Sequence, residues 1–381
     1  MDPHWLAAAL TPPRAFGAPL GQGTLRAQPE DFLVEEDLGF TASGAGQHIL
    51  LKVRKRNANT QWVARELAKL CGCHPRDVGY AGLKDRRAVA IQWLTVPKSK
   101  LPLEAWSEVR HPEFDVLEAY AHSRKLPRGA LAGNRFTIRI RDIAAADPDL
   151  NARVAQITRQ GVPNYFGPQR FGHNGSNLTR IPDGLQTLRA PERGFVLSAA
   201  RSVIFNAVLA ERVRDGSWNQ LEVGDIANLD GRGSIFPVEA IATAAPHAAT
   251  DPALGDALSA APGAPGHPSR AVDPTLIERA TQLDLHPTGP MWGKGTPATQ
   301  HRVAELESRV AAQFQPACDL TTAAAMDQER RALRLAVRDL TWSREPDAIV
   351  VSFRLTRGSF ATTVLRELID SEGTADEGDN D

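Results

Sequence analysis

The sequence predicts an α/β (α+β) chain whose strand-rich parts lie towards its two ends. Three observations carry this. Alternating apolar residues mark strands at Phe136, Ile138 and Ile140, and again at Ile349, Val351, Phe353 and Leu355. Apolar residues at helical spacing mark helices such as Thr60 to Leu70. After Gly161 the texture changes to Gly, Asn and aromatic residues and then to helices, before strand patterning returns.

In chain order, His48 to Val53 reads as a strand entering the basic cluster Lys52, Arg54, Lys55 and Arg56. Trp62, Val63, Leu67 and Leu70 give the following helix one apolar side. Asn59 or Thr60 can cap it, and Gly72 ends it. Ile91 to Val96 is a strand, and Phe114 to Tyr120 is another with a break in its alternation. Phe136, Ile138 and Ile140 alternate with Thr137, Arg139 and Arg141, giving one apolar and one basic face. That basic face fits an RNA platform or a solvated surface. Pro148 to Gln160 reads as a helix, Asn164 to Asn177 as an ordered loop, and Ser198 to Arg214 as a helix. Residues 243–274, rich in Ala, Pro and Gly, bury too little to offset their ordering entropy and form a flexible surface excursion. Thr299 to Phe314 is helical, Leu333, Leu335 and Val337 form a strand, and Ile349 to Leu355 is the clearest strand in the chain. Ser359 caps a last helix running to Ile369, and residues 371–381 form an acidic, disordered tail.

With 381 residues, 42% hydrophobic and 23% charged, the chain is ordinary globular material, and two domains are the prior. No apolar run approaches the roughly 20 residues that span a bilayer, and Trp5 to Leu10 is too short for a signal peptide. The expectation is a cytoplasmic protein with no membrane contact. Three cysteines give no disulfide framework. Cys71-Gly72-Cys73-His74 lacks the second ligand pair that zinc needs, so it reads as a helix end rather than a metal site. The net charge of −1 is a sum over unlike parts. The tail from Asp370 carries six acids and no base, leaving +5 on the rest. Between Lys52 and Arg141 there are 19 Lys/Arg against 8 Asp/Glu, a net +11 of the kind that tracks phosphates.

The run Gly79-Tyr80-Ala81-Gly82-Leu83-Lys84-Asp85-Arg86-Arg87-Ala88-Val89 places one acid among three bases after a small-residue turn. Adjacent cations favour an ionised carboxylate, and the setting suits chemistry on a sugar-phosphate substrate. The bland alternative is a solvated turn with surface ion pairs, which contribute little. Other short motifs fail. Gly289 to Lys294 has three residues between its glycines and Gly295 where a P-loop needs Ser or Thr. The Asn174 and Asn177 sequons have no role in a cytoplasmic chain. Gly231 and Gly233 make a turn.

The Gly79–Val89 run resembles the signature of the TruD family of tRNA pseudouridine synthases. Glu30 to Glu36 resembles that family's N-terminal motif, and Gly133-Asn134-Arg135-Phe136 its Gly-Asn-x-Phe element. Val162-Pro163-Asn164-Tyr165-Phe166-Gly167-Pro168-Gln169-Arg170-Phe171-Gly172 is similar to its most distinctive run. Pro287 to Gly293 and Arg357 to Thr362 complete the series, in family order, over about residues 20–370. The resemblance implies a pseudouridine synthase catalytic domain on a mixed, mainly antiparallel sheet, interrupted by an inserted family-specific α/β domain. Here the catalytic part would be 1–159 plus 336–370 and the insert 160–335.

It also implies a reaction and a site. Uridine becomes pseudouridine when the C1′–N1 bond breaks, the base turns and rejoins through C5. The expected target is position 13 of tRNA, with tRNA-Glu the usual bacterial substrate. An isomerisation needs no redox partner, ATP or obligatory metal, so no cofactor is expected. Asp85 is the implied catalytic carboxylate, attacking C1′ or removing the C2′ proton. Lys84 and Arg86, with Arg87, would steer phosphates. Phe32, Phe136 and Phe360 match the family's pocket aromatics, and Asn134 its pocket amide. On pattern alone the three Phe read as core residues and Asn134 as a turn residue. The run from Asn164 would either hold the two domains together or contact RNA. A monomer acting on tRNA without a protein partner is expected. The rivals are an RNA-binding protein without catalysis, against which the intact Asp85 weighs, and a glycosylase, which would release uracil.

Overall fold

The computed structural model describes residues 3–186, 188–242 and 270–371. Most of the expected 243–274 excursion, and all but the first residue of the 371–381 tail, lie outside them. Helix α1 (Pro3–Leu10) opens the chain. Strands β1 (Phe32–Asp37) and β2 (His48–Arg56) precede helix α2 (Thr60–Cys71). Asn59 caps α2 by accepting from Gln61 N at 2.8 Å, and Gly72 ends it at φ 71°, where a side chain would be strained. Strands β3 (Val89–Pro97), β4 (Phe114–His122) and β5 (Gly133–Arg141) follow, then helix α3 (Asp147–Gln160). The broken alternation of β4 is a register shift against β2 at Lys52/Val53.

The middle of the chain builds a second core around helix α4 (Ala190–Arg214). Val203, Ile204, Phe205, Val208 and Leu209 are fully buried there, and Trp5, Ala8 and Ala9 of α1 pack into the same cluster. By length and composition α4 could cross a membrane, yet it is the buried helix at the centre of this core. Strands β6 (Ile226–Leu229) and β7 (Leu285–Met291) pair, helices α5 (His301–Ala311) and α6 (Gln315–Ala323) follow, and β8 (Glu329–Ala332) pairs with β7. Gly289 is therefore a strand residue. A Cβ there would meet Leu333 at 2.7 Å and Phe205 at 3.1 Å, so glycine lets β7 approach α4.

The chain returns through β9 (Arg338–Glu345) and β10 (Ala348–Thr356) to helix α7 (Ala361–Leu365). The large sheet runs β9-β10-β5-β1-β3-β2-β4, antiparallel except for the β1/β3 pair, with short strands at Thr24–Leu25, Gly79–Tyr80 and Arg110–His111 attached. This is the mixed, mainly antiparallel sheet that was expected. Helices α2, α3 and α7 contribute to the cores on one face.

Two local expectations change. Leu333 to Val337 is not one strand, because the chain crosses between sheets there: Arg334–Leu335 pairs with Val162–Pro163. The last helix is short, entered at Phe360 with no side-chain cap, and Leu368 and Ile369 reach the core from beyond its end.

Candidate active site

The rungs of the large sheet align the predicted residues. Val34, Phe136 and Phe353 lie opposite one another, and Ala90 and Lys55 extend that rung across β3 and β2. One step on, Glu36, Asn134 and Leu355 share the next. Rung neighbours point to the same side, so Lys55, Glu36 and Asn134 are polar residues on the helix-covered face.

The edge of β3 is shared. Leu33 to Glu35 of β1 pair with Val89 to Ile91, and Gly79–Tyr80 pair with Thr95 and Leu94. In the gap between them, Glu36 Oε2 accepts from Trp93 N at 2.9 Å. The segment 81–88, which carries Asp85, loops out between these two pairings and is held to the face at three points. Lys84 Nζ reaches the fully buried Glu36 carboxylate at 2.6 Å. Lys84 N donates to Thr60 Oγ1 at 3.1 Å, and that hydroxyl donates to Gln92 Oε1 at 2.9 Å. Lys55 Nζ donates to Asp85 O at 2.8 Å, and also to Ala58 O at 2.7 Å.

Lys55 is wholly buried, and its Nζ bonds only to main-chain carbonyls among the described residues. Burial lowers its pKa to about 8, and the Asp85 charge opposes the shift. The backbone at Asp85 is thus fixed while its side chain stays 52% exposed. Arg26 Nη2 donates to Asp85 Oδ2 at 2.7 Å, and the same guanidinium lies 4.3 Å above the Phe32 ring. Arg26 adopts φ 57°, a left-handed conformation that is unusual for a non-glycine residue. A held, solvent-reachable carboxylate is what attack at a sugar carbon or removal of a sugar proton requires.

The predicted residues divide. Asp85, Lys84, Phe32 and Asn134 come together through Arg26, Glu36 and the β1/β5 pairing. Phe32 and Phe136 are buried and in edge contact, with centroids 6.0 Å apart, so both belong to the core beneath Arg26. Asn134 Oδ1 is buried with no donor among the described residues, which leaves an acceptor for the imide N–H of a base. Phe360 is 38% exposed and lies five residues beyond Leu355, the rung neighbour of Asn134. Arg86 is exposed beside Asp85.

The basic side of β5 is taken up by ion pairs: Arg139 with Glu345 at 2.8 Å and Arg141 with Asp31 at 2.8 Å. Arg26 carries no sequence signal, whereas Lys55 falls on the inward alternation of Ile49, Leu51 and Val53.

A mixed sheet with one carboxylate-bearing loop pinned over its helix-covered face suits an enzyme that acts on a sugar-linked base. Residues 16–181 and 269–368 match the family described as tRNA pseudouridine synthase D (TruD). The tRNA pseudouridine synthase D of Pseudomonas putida is 41% identical over 366 residues, covering 94% of each chain. That of Nitrosococcus oceani is 40% identical over 364 residues, covering 93% of each. The TruD crystal structure from Methanosarcina mazei shares the fold at TM-score 0.69, with 18% identity, covering 97% of this chain and 98% of that one. The chain belongs to the TruD family of tRNA pseudouridine synthases.

Proposed function

We propose that this protein isomerises uridine to pseudouridine at position 13 of tRNA, with tRNA-Glu among its substrates. The observation that carries the reading is the Asp85 loop, whose backbone is fixed by Lys55 and Lys84 while its carboxylate stands open beside Arg26. Asp85 acts at the ribose as the C1′–N1 bond breaks. Arg26 orients it. The target nucleotide leaves its stack to reach this point. Phe360 stacks on the extruded base, Asn134 reads its edge, and Phe32 and Phe136 form the pocket floor. Arg86 and the basic segment 52–141 meet the phosphates. Residues 1–159 plus 336–370 make the catalytic domain and 160–335 the insert. The protein works in the cytoplasm as a monomer.

The test is incubation of a tRNA-Glu transcript with the protein, followed by carbodiimide labelling and primer extension. The expected result is one new stop at position 13, with unchanged tRNA mass and no free uracil. Free uracil would make the protein a glycosylase. Binding without any labelled position would make it a non-catalytic RNA-binding protein.

A further inference from the structure

Apart from two, the buried or half-buried arginines among the described residues are satisfied inside the molecule, by carbonyls or by a carboxylate: Arg153 donates to Glu367 O and Ala18 O, and Arg334 donates to Ala280 O and Leu285 O. Arg212 meets Asp225 at 2.6 Å, Arg330 meets Glu307 at 2.7 Å and Arg141 meets Asp31 at 2.8 Å. Arg201, on the same helix as Arg212, meets Glu329 at 3.2 Å. Arg170 and Arg331 differ. Each makes a single side-chain hydrogen bond, to a neutral group, among the described residues. Arg170 Nη1 donates to Ser198 Oγ at 2.8 Å, and Arg331 Nη2 donates to Asn164 Oδ1 at 2.8 Å. Arg331 Nε is buried and donates to nothing among the described residues. Both guanidiniums lie against one ring, that of Phe166, at 5.1 and 4.4 Å from its centroid. Both residues are half-buried, so solvent still reaches them.

The local framework is rigid. Phe166 N and O are both bonded to the buried Asn206 side chain, at 2.9 and 3.0 Å. Asn164 Nδ2 donates to Ala332 O at 2.8 Å, which aims its oxygen at Arg331. Gly172, at φ 75°, closes the short turn that carries Arg170. Burial pushes both arginines below their ordinary pKa, Arg331 to about 10, and Arg170 adds to the shift on Arg331. Both remain charged at neutral pH. Two like charges withdrawn from water with no counter-ion are costly, and an anion from outside offsets that cost.

We propose that Arg170 and Arg331 form a phosphate-binding site in the insert for the backbone of the RNA substrate. Guanidinium forks suit phosphate oxygens, and the remaining Nη donors of Arg170 and Arg331 are the ones a phosphate would take. The ring of Phe166 holds the two cations side by side without neutralising them. This assigns the run Asn164–Gly172 to RNA contact, and it rests on the tRNA-modifying function proposed above.

The test is the dissociation constant for a tRNA transcript across a salt series, for the wild type, Arg170→Gln, Arg331→Gln and Arg170→Lys. Each Gln variant is expected to weaken binding several-fold. Each should also lower the slope of log K against log[salt] by about 0.7–0.9, the contribution of one phosphate contact. Arg170→Lys should keep the slope. Most of the loss in turnover should fall in KM rather than kcat, and the melting temperature should hold or rise. Wild-type slopes in both Gln variants would overturn the proposal, as would a fall in melting temperature with unchanged affinity. If Arg331→Gln fails to fold, Arg170→Gln decides alone. Inorganic phosphate at fixed ionic strength provides a further arm. If it stabilises the wild type but not Arg170→Gln while the tRNA slopes stay equal, the site takes a free anion and the RNA assignment fails. Absence of pseudouridine with the wild type would sink the functional reading instead, whereas normal modification with unchanged slopes would sink only this site.

Discussion

The Asp85 loop and the Phe166 ring use cations in opposite ways. At the loop, side-chain ion pairs are made inside the molecule: Lys84 with Glu36 at 2.6 Å and Arg26 with Asp85 at 2.7 Å. At the ring, Arg170 and Arg331 have only a hydroxyl and an amide. A cation matched internally spends its charge on position. One left with neutral partners keeps its charge for something outside. Lys55 lies between the two: its ammonium is fully buried, but it is spent on carbonyls that fix the Asp85 backbone.

A large stability effect is expected at the loop. Lys84→Met leaves Glu36 charged, buried and unmatched, and should cost about 3–5 kcal/mol in denaturant unfolding. Adding Glu36→Gln to it should recover much of the loss. If Lys84→Met costs nothing, the loop is not held by this pair, and the contrast with the Phe166 ring disappears.

A second contrast lies among the aromatics. Phe136→Ala should cost roughly 3–5 kcal/mol, because its ring is buried between Phe32 and Phe353. Phe360→Ala removes a ring that is 38% exposed, and should leave the melting temperature nearly unchanged while turnover falls. Equal melting losses with normal activity per folded molecule would return Phe360 to the core.

The smallest effect concerns pH. Lys55 titrates at about 8 in the fold, below its ordinary lysine value of 10.5. Between those values the unfolded chain binds more protons, so this group makes stability rise with pH across that window and leaves it flat below 8. Lys55→Met should remove the rise, measured as unfolding free energy from pH 7 to 10. In the wild type, turnover should fall above pH 8, as Lys55 loses a proton and with it a donor to the loop. A wild-type stability curve that falls from pH 8 to 10 and is unchanged in Lys55→Met would show that burial does not set the titration of Lys55.

Much of this was legible in the sequence, for identifiable reasons. Asp85 sits inside one contiguous run, so its neighbours along the chain are also its neighbours in space. Strands β5 and β10 follow from strict alternation, and α2 from its cap and its glycine stop. Glu36 and Asn134 were separate motif residues until the pairing of β1 with β5 put them on one rung. Arg26 was invisible because it lies 59 residues from Asp85 and reaches it only through a left-handed backbone turn. Lys55 was merged into a basic cluster, although its alternation with Ile49, Leu51 and Val53 aimed it inward. The last helix is shorter than its pattern because Leu368 and Ile369 are apolar at helical spacing yet pack from beyond the helix end. The Phe166 cations could not be found from sequence, since what distinguishes them is how few partners they meet in space.

The central claim is that Asp85 performs the chemistry while other cations hold the RNA. Asp85→Asn tests it most directly, with single-turnover pseudouridine formation and tRNA affinity measured on the same protein. The substitution removes the charge and the nucleophile at nearly constant volume. The account predicts tRNA binding close to wild type and no pseudouridine. Turnover at even a tenth of the wild-type rate would contradict it.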